Sequence, residues 1–227
     1  MFVGHFGVAL AAKRVAPRTS LATLFLASSF IDVLWPILLL LGLEEVRIVP
    51  GLTAFSPLDF VSYPITHSAI AVLGWSAAFG LAYLALRRER SGALVAALLV
   101  ASHWMLDAVV HRPDLPLWPG GPRVGAGLWG SVAGTLALEL AIFAAGLAVY
   151  LASTRARRWP GTAGLAILVA LLLAAYVGAA FGPPPPDART IAIAGLAGAA
   201  LALLLAAWVD RARTARGARA EGAPAAG

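Results

Sequence analysis

The chain of 227 residues has no cysteine, only four histidines and few charges: 12% of it is Asp, Glu, Lys or Arg. Without cysteine there is no disulfide framework and no thiolate nucleophile or ligand, so a metal is expected to be held by nitrogen and oxygen. With so few charges there is not enough polar surface to cover a water-soluble globule. Acids are scarcer than bases, 11 against 17. What the chain has in their place is apolar length, with 60% hydrophobic residues and a mean hydropathy of +0.85. These are the proportions of an integral membrane protein.

Six stretches approach or exceed the roughly 20 apolar residues a helix needs to span a bilayer. They cover residues 20–41, 65–86, 92–110, 126–151, 161–181 and 190–209. Residues 2–12 are apolar but too short to span, and Lys13, Arg14 and Arg18 follow them where a cleaved signal peptide carries its charges first. This predicts a half-inserted helix with its N-terminus buried in protein and its C-terminus at a basic surface. The expected fold is an all-α polytopic membrane bundle of about six transmembrane helices plus that short helix. It divides into a metal-site core over 1–153, two C-terminal spanning helices over 154–209, and a disordered basic tail over 210–227.

The basic residues set an expected orientation. Thirteen, from Lys13, Arg14 and Arg18 to Arg219 in the tail, fall at one set of span ends, and only Arg47, Arg112, Arg123 and Arg189 fall at the other. By the positive-inside rule both termini lie in the cytoplasm, in a multi-pass protein of a bacterial-type cytoplasmic (inner) membrane. The net charge of +6 is accounted for by anionic lipid beside these loops, so no nucleic-acid partner is expected. Gly195 and Gly198 in the last span permit close helix contact, within the chain or in a homo-oligomer. Gly182 followed by Pro183 to Pro186 reads as a stiff connector.

Polar residues are unevenly placed. All four histidines, with Asp32, Asp59, Asp107 and Asp114, lie in the first 114 residues, and the last two spans hold no interior Asp, Glu, His, Lys or Arg. His103, Asp107 and His111 recur at i, i+4 and i+8, which sets them on one face of a helix. Ionisable groups inside a membrane are costly, which marks this face as functional. Two imidazoles and a carboxylate suit zinc or another divalent transition metal. At about 1.5 Å per residue, Asp32 sits about 18 Å above the start of the first span and His103 about 10 Å below the end of the third, nearly the same depth in a core about 30 Å thick. His67 begins the second span on the outer side, and His5 reaches about 12 Å up from the basic side. The expected result is a polar pocket opening outward. Glu139, midway along the fourth span, reads as a proton carrier, a supporting partner or a structural acceptor.

As an ordered set these residues resemble a known family. Gly4-His5-Phe6, the intrahelical Asp32, Thr66-His67-Ser68, Ser102-His103 with Asp107, and Leu117-Trp118-Pro119 are similar to the bacterial inner-membrane family of membrane-bound metal-dependent hydrolases, over roughly the first 150 residues. The resemblance implies a divalent-metal site and hydrolase activity, and it does not name a substrate. The chain departs from the family pattern at Asp32-Val33-Leu34-Trp35, where an Asp-x-Asp-His group is usual, and at Ser62-Tyr63-Pro64, where His-Arg-Gly is usual. Asp59 and His111 are the candidates to compensate for these missing ligands.

The mechanism expected from these residues is metal-assisted hydrolysis at the outer leaflet. One divalent ion, with zinc the leading candidate, is held by His67, His103 and Asp107, with Asp32, His5 or His111 completing the shell, and Asp32, Asp59 or Glu139 acts as general base. The location points to a membrane lipid or lipid-linked ester as substrate. Two other classes compete: a metal-ion or proton transport or binding protein, and an inactive structural relative. A transporter is expected to show a second polar cluster or an inverted repeat, and neither is visible in the sequence.

Overall fold

The structure, a computed structural model, describes residues 1–216 and is an all-α bundle of the expected kind. The short helix α1 (Val3–Ala12) is followed by α2 (Leu21–Ser28) and α3 (Phe30–Leu40), which together form one span bent by 58°. An antiparallel hairpin, β1 (Glu45–Ile48) with β2 (Leu58–Ser62), and a single turn, α4 (Pro64–His67), lead into the long helices α5 (Ala69–Arg87) and α6 (Arg90–Val110). A loop carrying the two-residue strands β3 (Leu115–Pro116) and β4 (Arg123–Val124) precedes α7 (Val132–Ser153). The short β5 (Thr154–Ala156) then leads to α8 (Trp159–Phe181) and α9 (Ala188–Ala212), and β6 (Arg213–Ala215) pairs back onto β5. Among the described residues five helices are long and apolar enough to cross a membrane, and the bent pair makes a sixth.

Local chemistry accounts for the helix starts. Ser68, Glu89, Ser131 and Asp187 each accept a backbone N–H of the first turn of α5, α6, α7 and α9, and α8 carries Pro160 in its first turn, where the missing N–H costs nothing. Within the first span, the Ser28 and Ser29 hydroxyls both donate to the Phe25 carbonyl, and Pro36 removes an N–H from α3. Hydroxyls that back-bond a helix carbonyl, and a proline that withdraws a donor, both favour a bend. The fourth span begins at Val132, later than the expected 126, because Gly127 takes a left-handed φ of 75° ahead of a 3-10 turn at Leu128–Gly130.

Two features fix the N-terminal segment. Helix α1 lies backbone to backbone on α7: a Cβ at Gly7 would sit 2.7 Å from the Ile142 carbonyl oxygen, and one at Gly146 would strike the Gly7 backbone. At the basic end, Lys13 donates to Asp210 and to the Thr19 carbonyl, each at 2.7 Å, and Asp210 also accepts from the Leu21 N–H. Arg213 donates to the Thr154 hydroxyl at 3.0 Å and lies over the Tyr150 ring. The predicted disordered tail therefore divides. Residues 210–216 are tied into the bundle, and the remainder, Arg219 included, lies outside the described residues.

At the opposite end the hairpin closes over an aromatic cluster of Trp35, Phe60, Tyr63 and Trp129. Helices α8 and α9 are not a separate layer, since α9 packs along α2 and α3 as well as on α8.

Candidate metal centre

Five side chains from four elements meet beneath the aromatic cluster: His5 of α1, Asp32 of α3, His67 of α4, and His103 and Asp107 of α6. His103 Nε2 lies 3.5 Å from Asp32 Oδ1 and 3.1 Å from Asp107 Oδ2, and His67 Nε2 lies 3.8 Å and 3.9 Å from the same two atoms. His5 stacks on His103 with ring centroids 3.9 Å apart and reaches Asp107 Oδ1 at 3.2 Å, and the Met1 ammonium also donates to that oxygen. Two overlapping groups, His5–His103–Asp107 and Asp32–His67–His103, have ligand atoms all within 4.8 Å of one another. For tetrahedral zinc with bonds of 2.0–2.1 Å, ligand atoms are about 3.4 Å apart, which is the range these contacts occupy.

The imidazole tautomers follow from their outer partners. His103 Nδ1 lies 2.9 Å from the Ser28 carbonyl oxygen, which only accepts, so Nδ1 carries the proton and Nε2 presents a lone pair inward. The helix break after Ser28 brings that carbonyl within reach. The Thr66 hydroxyl donates to Glu44 Oε2 at 2.7 Å, so the 2.7 Å contact between Thr66 and His67 Nδ1 is completed by the His67 proton. Glu44 is held in turn by the N–H groups of Ile65 and Thr66, both at 2.9 Å. Both inward Nε2 atoms thus face carboxylates, an arrangement that requires a cation between them. For His103 the geometry favours an ion over a proton. Its Nε2 is buried without a hydrogen-bond partner although Asp107 Oδ2 is 3.1 Å away, because that oxygen lies off the line an N–H would take. The donor set therefore fits a divalent metal, with a carbonyl behind one imidazole and a carboxylate relay behind the other.

Not every expected residue reaches this cluster. His111 belongs to neither group: its Nδ1 lies 2.9 Å from Asp114 Oδ1, although the ring borders the same cavity. Asp59 is paired with Arg112, whose Nε reaches Asp114 Oδ2 at 3.1 Å. Tyr63 donates to Asp114 as well, at 3.1 Å. Burial, with the Asp114 carboxylate beside it, holds the Tyr63 phenol above its ordinary range, so it stays a donor. Of the two residues offered as replacements for missing ligands, Asp59 latches the hairpin to the loop after α6 through Arg112, and His111 is held within that loop by Asp114. Arg112 supplies the reason, because a guanidinium beside a carboxylate satisfies it without a metal.

Glu139 is fully buried on α7. Its Oε2 accepts from the N–H groups of Phe2 at 2.7 Å and Gly4 at 3.3 Å, while Oε1 has no partner among the described residues, and the residue lines the cavity. Asp32, with a side chain 40% exposed, also faces that cavity. Sequence reasoning missed Glu44 and the Thr66 hydroxyl as supports of His67. Thr66 adjoins a histidine, which is a weak signal, and nothing in a loop of acids singles out Glu44.

Thr66→Val, which removes the hydroxyl at nearly constant volume, is expected to weaken divalent-metal affinity by about 10–100-fold, the usual cost of losing a group that orients a ligand. Competition titration against a chelator measures it, and Thr66→Ser should restore binding. Wild-type affinity in the valine variant would remove the relay from the site.

Comparison of the chain with protein-family models, with characterised proteins and with solved structures found no match to any of them. Fold and site together define a multi-pass membrane protein with a buried His/Asp cluster able to hold a metal ion.

Proposed function

We propose that the protein is an integral membrane metal-dependent hydrolase, with zinc as its metal, acting on a lipid or lipid-linked ester at the outer side of a bacterial-type inner membrane. The observation that carries this reading is the orphaned Nε2 of His103 beside two carboxylates, Asp32 and Asp107, which line the polar end of a cavity of about 930 Å³. The charge bias of the loops supports the sidedness, with both termini cytoplasmic, and the family resemblance supports the reaction class. A transport reading lacks support, because both ligand groups found among the described residues share His103 and form one cluster.

A divalent ion bound here would supply Lewis acidity and a water nucleophile of lowered pKa. His67 and His103, held in register by Thr66 and Ser28, would supply its nitrogen ligands, and Asp32 and Asp107 its oxygen ligands. His5 supports Asp107 from behind. Glu139 takes the general-base role ahead of Asp59, which Arg112 occupies, and ahead of Asp32, which belongs to the ligand set. Its Oε1 accepts the proton of the attacking water and returns it to the leaving oxygen, while two backbone N–H groups hold Oε2 in place.

The test is turnover of acyl-ester and phosphodiester amphiphiles by detergent-purified protein, before chelation, after it, and after zinc is restored. Glu139→Gln is expected to keep its metal and lose 10²-fold or more in rate, in line with the usual contribution of general base catalysis. Turnover indifferent to chelation, or none with any ester, would falsify the hydrolase reading.

A further inference from the structure

The cavity extends well beyond the metal cluster. It runs from Asp32, His67, Asp107 and Glu139 to a wall made by α8 and α9, with Pro183 to Pro185 and the hairpin loop around Pro50 to Pro57 at its rim. On α9 that wall is Ala194, Gly195, Gly198 and Ala202, spaced as one helical face, and on α8 it includes Ala175 and Gly178. Small side chains leave a slot there. A Cβ added at Gly178 or Gly198 meets nothing within 4 Å, and one at Gly195 comes no nearer than 3.7 Å to Pro36. A second, independent feature points to a ligand: Glu139, a buried carboxylate whose Oε1 has no hydrogen-bond partner among the described residues, is one of the residues lining the same space.

We infer that this slot holds the hydrocarbon chain of the substrate, and that the substrate is a long-chain membrane lipid ester with an uncharged or zwitterionic headgroup. The inference rests on the hydrolytic reading of the metal cluster and specifies its substrate class. Continuity decides the first part. One end of the cavity is polar and able to hold a metal, the rest is apolar and lies among membrane-spanning helices, so its complement is an amphiphile with its ester at the cluster. Charge decides the second part. Among the described residues the lining contains Asp32, Asp107 and Glu139 but no Lys or Arg, and the Met1 ammonium is already taken by Asp107. The two charges of a divalent ion at the cluster would be balanced by Asp32 and Asp107, so a phosphomonoester or diphosphate would bring two or more negative charges to a described lining with no free Lys or Arg to receive them. A neutral ester or a zwitterionic phosphodiester brings no net charge.

The experiment is photolabelling of zinc-loaded protein in detergent with phosphatidylethanolamine carrying a diazirine at the end of one acyl chain, and with the matching phosphatidic acid. Labelled peptides from α8 and α9 are quantified by mass spectrometry. Phosphatidylethanolamine is expected to label the segment around residues 175–202, and phosphatidic acid severalfold less. Gly198→Leu, which fills the slot, should lower that labelling about tenfold with zinc content unchanged, and Gly178→Leu, on the other wall, should do the same. Whichever variant retains its zinc is folded at the site and decides the outcome. Undiminished labelling in a zinc-retaining variant overturns the chain slot, and equal labelling by phosphatidic acid overturns the headgroup assignment. Slot-dependent labelling with no zinc-dependent turnover of any ester overturns the hydrolase reading alone.

Discussion

His103→Ala is expected to reduce the divalent metal of the purified protein from about one equivalent to background, and with it all metal-dependent turnover. No other ligand should cost as much, because His103 is the one residue shared by both groups of converging ligand atoms. It is fully buried, its Nδ1 is fixed by the Ser28 carbonyl, and His5 stacks on its face. Removing it takes away a nitrogen and also leaves Asp32 and Asp107 facing each other across an unfilled space. The loss of affinity should exceed the roughly 10–100-fold expected for a merely supporting group such as Thr66. Elemental analysis of size-excluded protein, with binding followed by competition, makes the measurement. His103→Gln, which keeps most of the volume, controls for collapse of the cavity and should lose metal equally. His111→Ala is the contrasting variant and should retain metal, since that ring is committed to Asp114. A full equivalent bound at wild-type affinity in both His103 variants would remove the cluster as the metal centre.

Gly146→Val should be nearly as damaging, at a position that carries no chemistry. A Cβ at residue 146 strikes the backbone of Gly7, so α1 must move away from α7. Overpacking of this kind costs on the order of 3 kcal/mol, and here the neighbour is backbone, which cannot change rotamer. For a domain of about this size that predicts a fall of about 10 °C in unfolding temperature. The site should suffer with the fold, because α1 carries His5 and the N–H groups that hold Glu139. Metal affinity is therefore expected to fall together with thermal stability. Gly74→Ala is the control. Nothing lies within 4 Å of its added Cβ, and an alanine in an exposed helix position should leave stability unchanged or slightly higher. Should Gly146→Val melt with the wild type and bind metal normally, the α1–α7 contact does not position the site.

These two expectations differ in how far the sequence foreshadowed them. The pairing of His103 with Asp107 was legible because four residues on a helix return to the same face whatever surrounds it. Asp32 was legible through depth, since helical rise converts residue count to height with little error over one span. The Gly7–Gly146 contact was not legible in a chain with 23 glycines, where small residues mark no particular interface. The partners of Asp59 and His111 were not legible for a related reason. Their spacing suited a ligand, but Arg112 and Asp114 lay within reach too, and packing chose those partners. Gly195 and Gly198, read as contacts for a neighbouring helix or subunit, border the cavity with Pro36 as the nearest neighbour of the first.

By itself, the sequence determined that the chain crosses a membrane about six times, that no thiolate ligand exists, and which helix carries the central His–Asp pair. Each is a property of composition or of a single helix, where backbone hydrogen bonding in an apolar medium leaves almost no alternative. Only the tertiary structure decided which of the remaining polar residues meet that pair, that Ser28 orients its imidazole while Glu44 acts through Thr66 on that of His67, and that α8 and α9 wall a slot beside it. Those outcomes depend on the rotation and bend of each helix relative to its neighbours. They are set by glycine contacts, a broken span and competing ion pairs, which act between segments far apart in the chain.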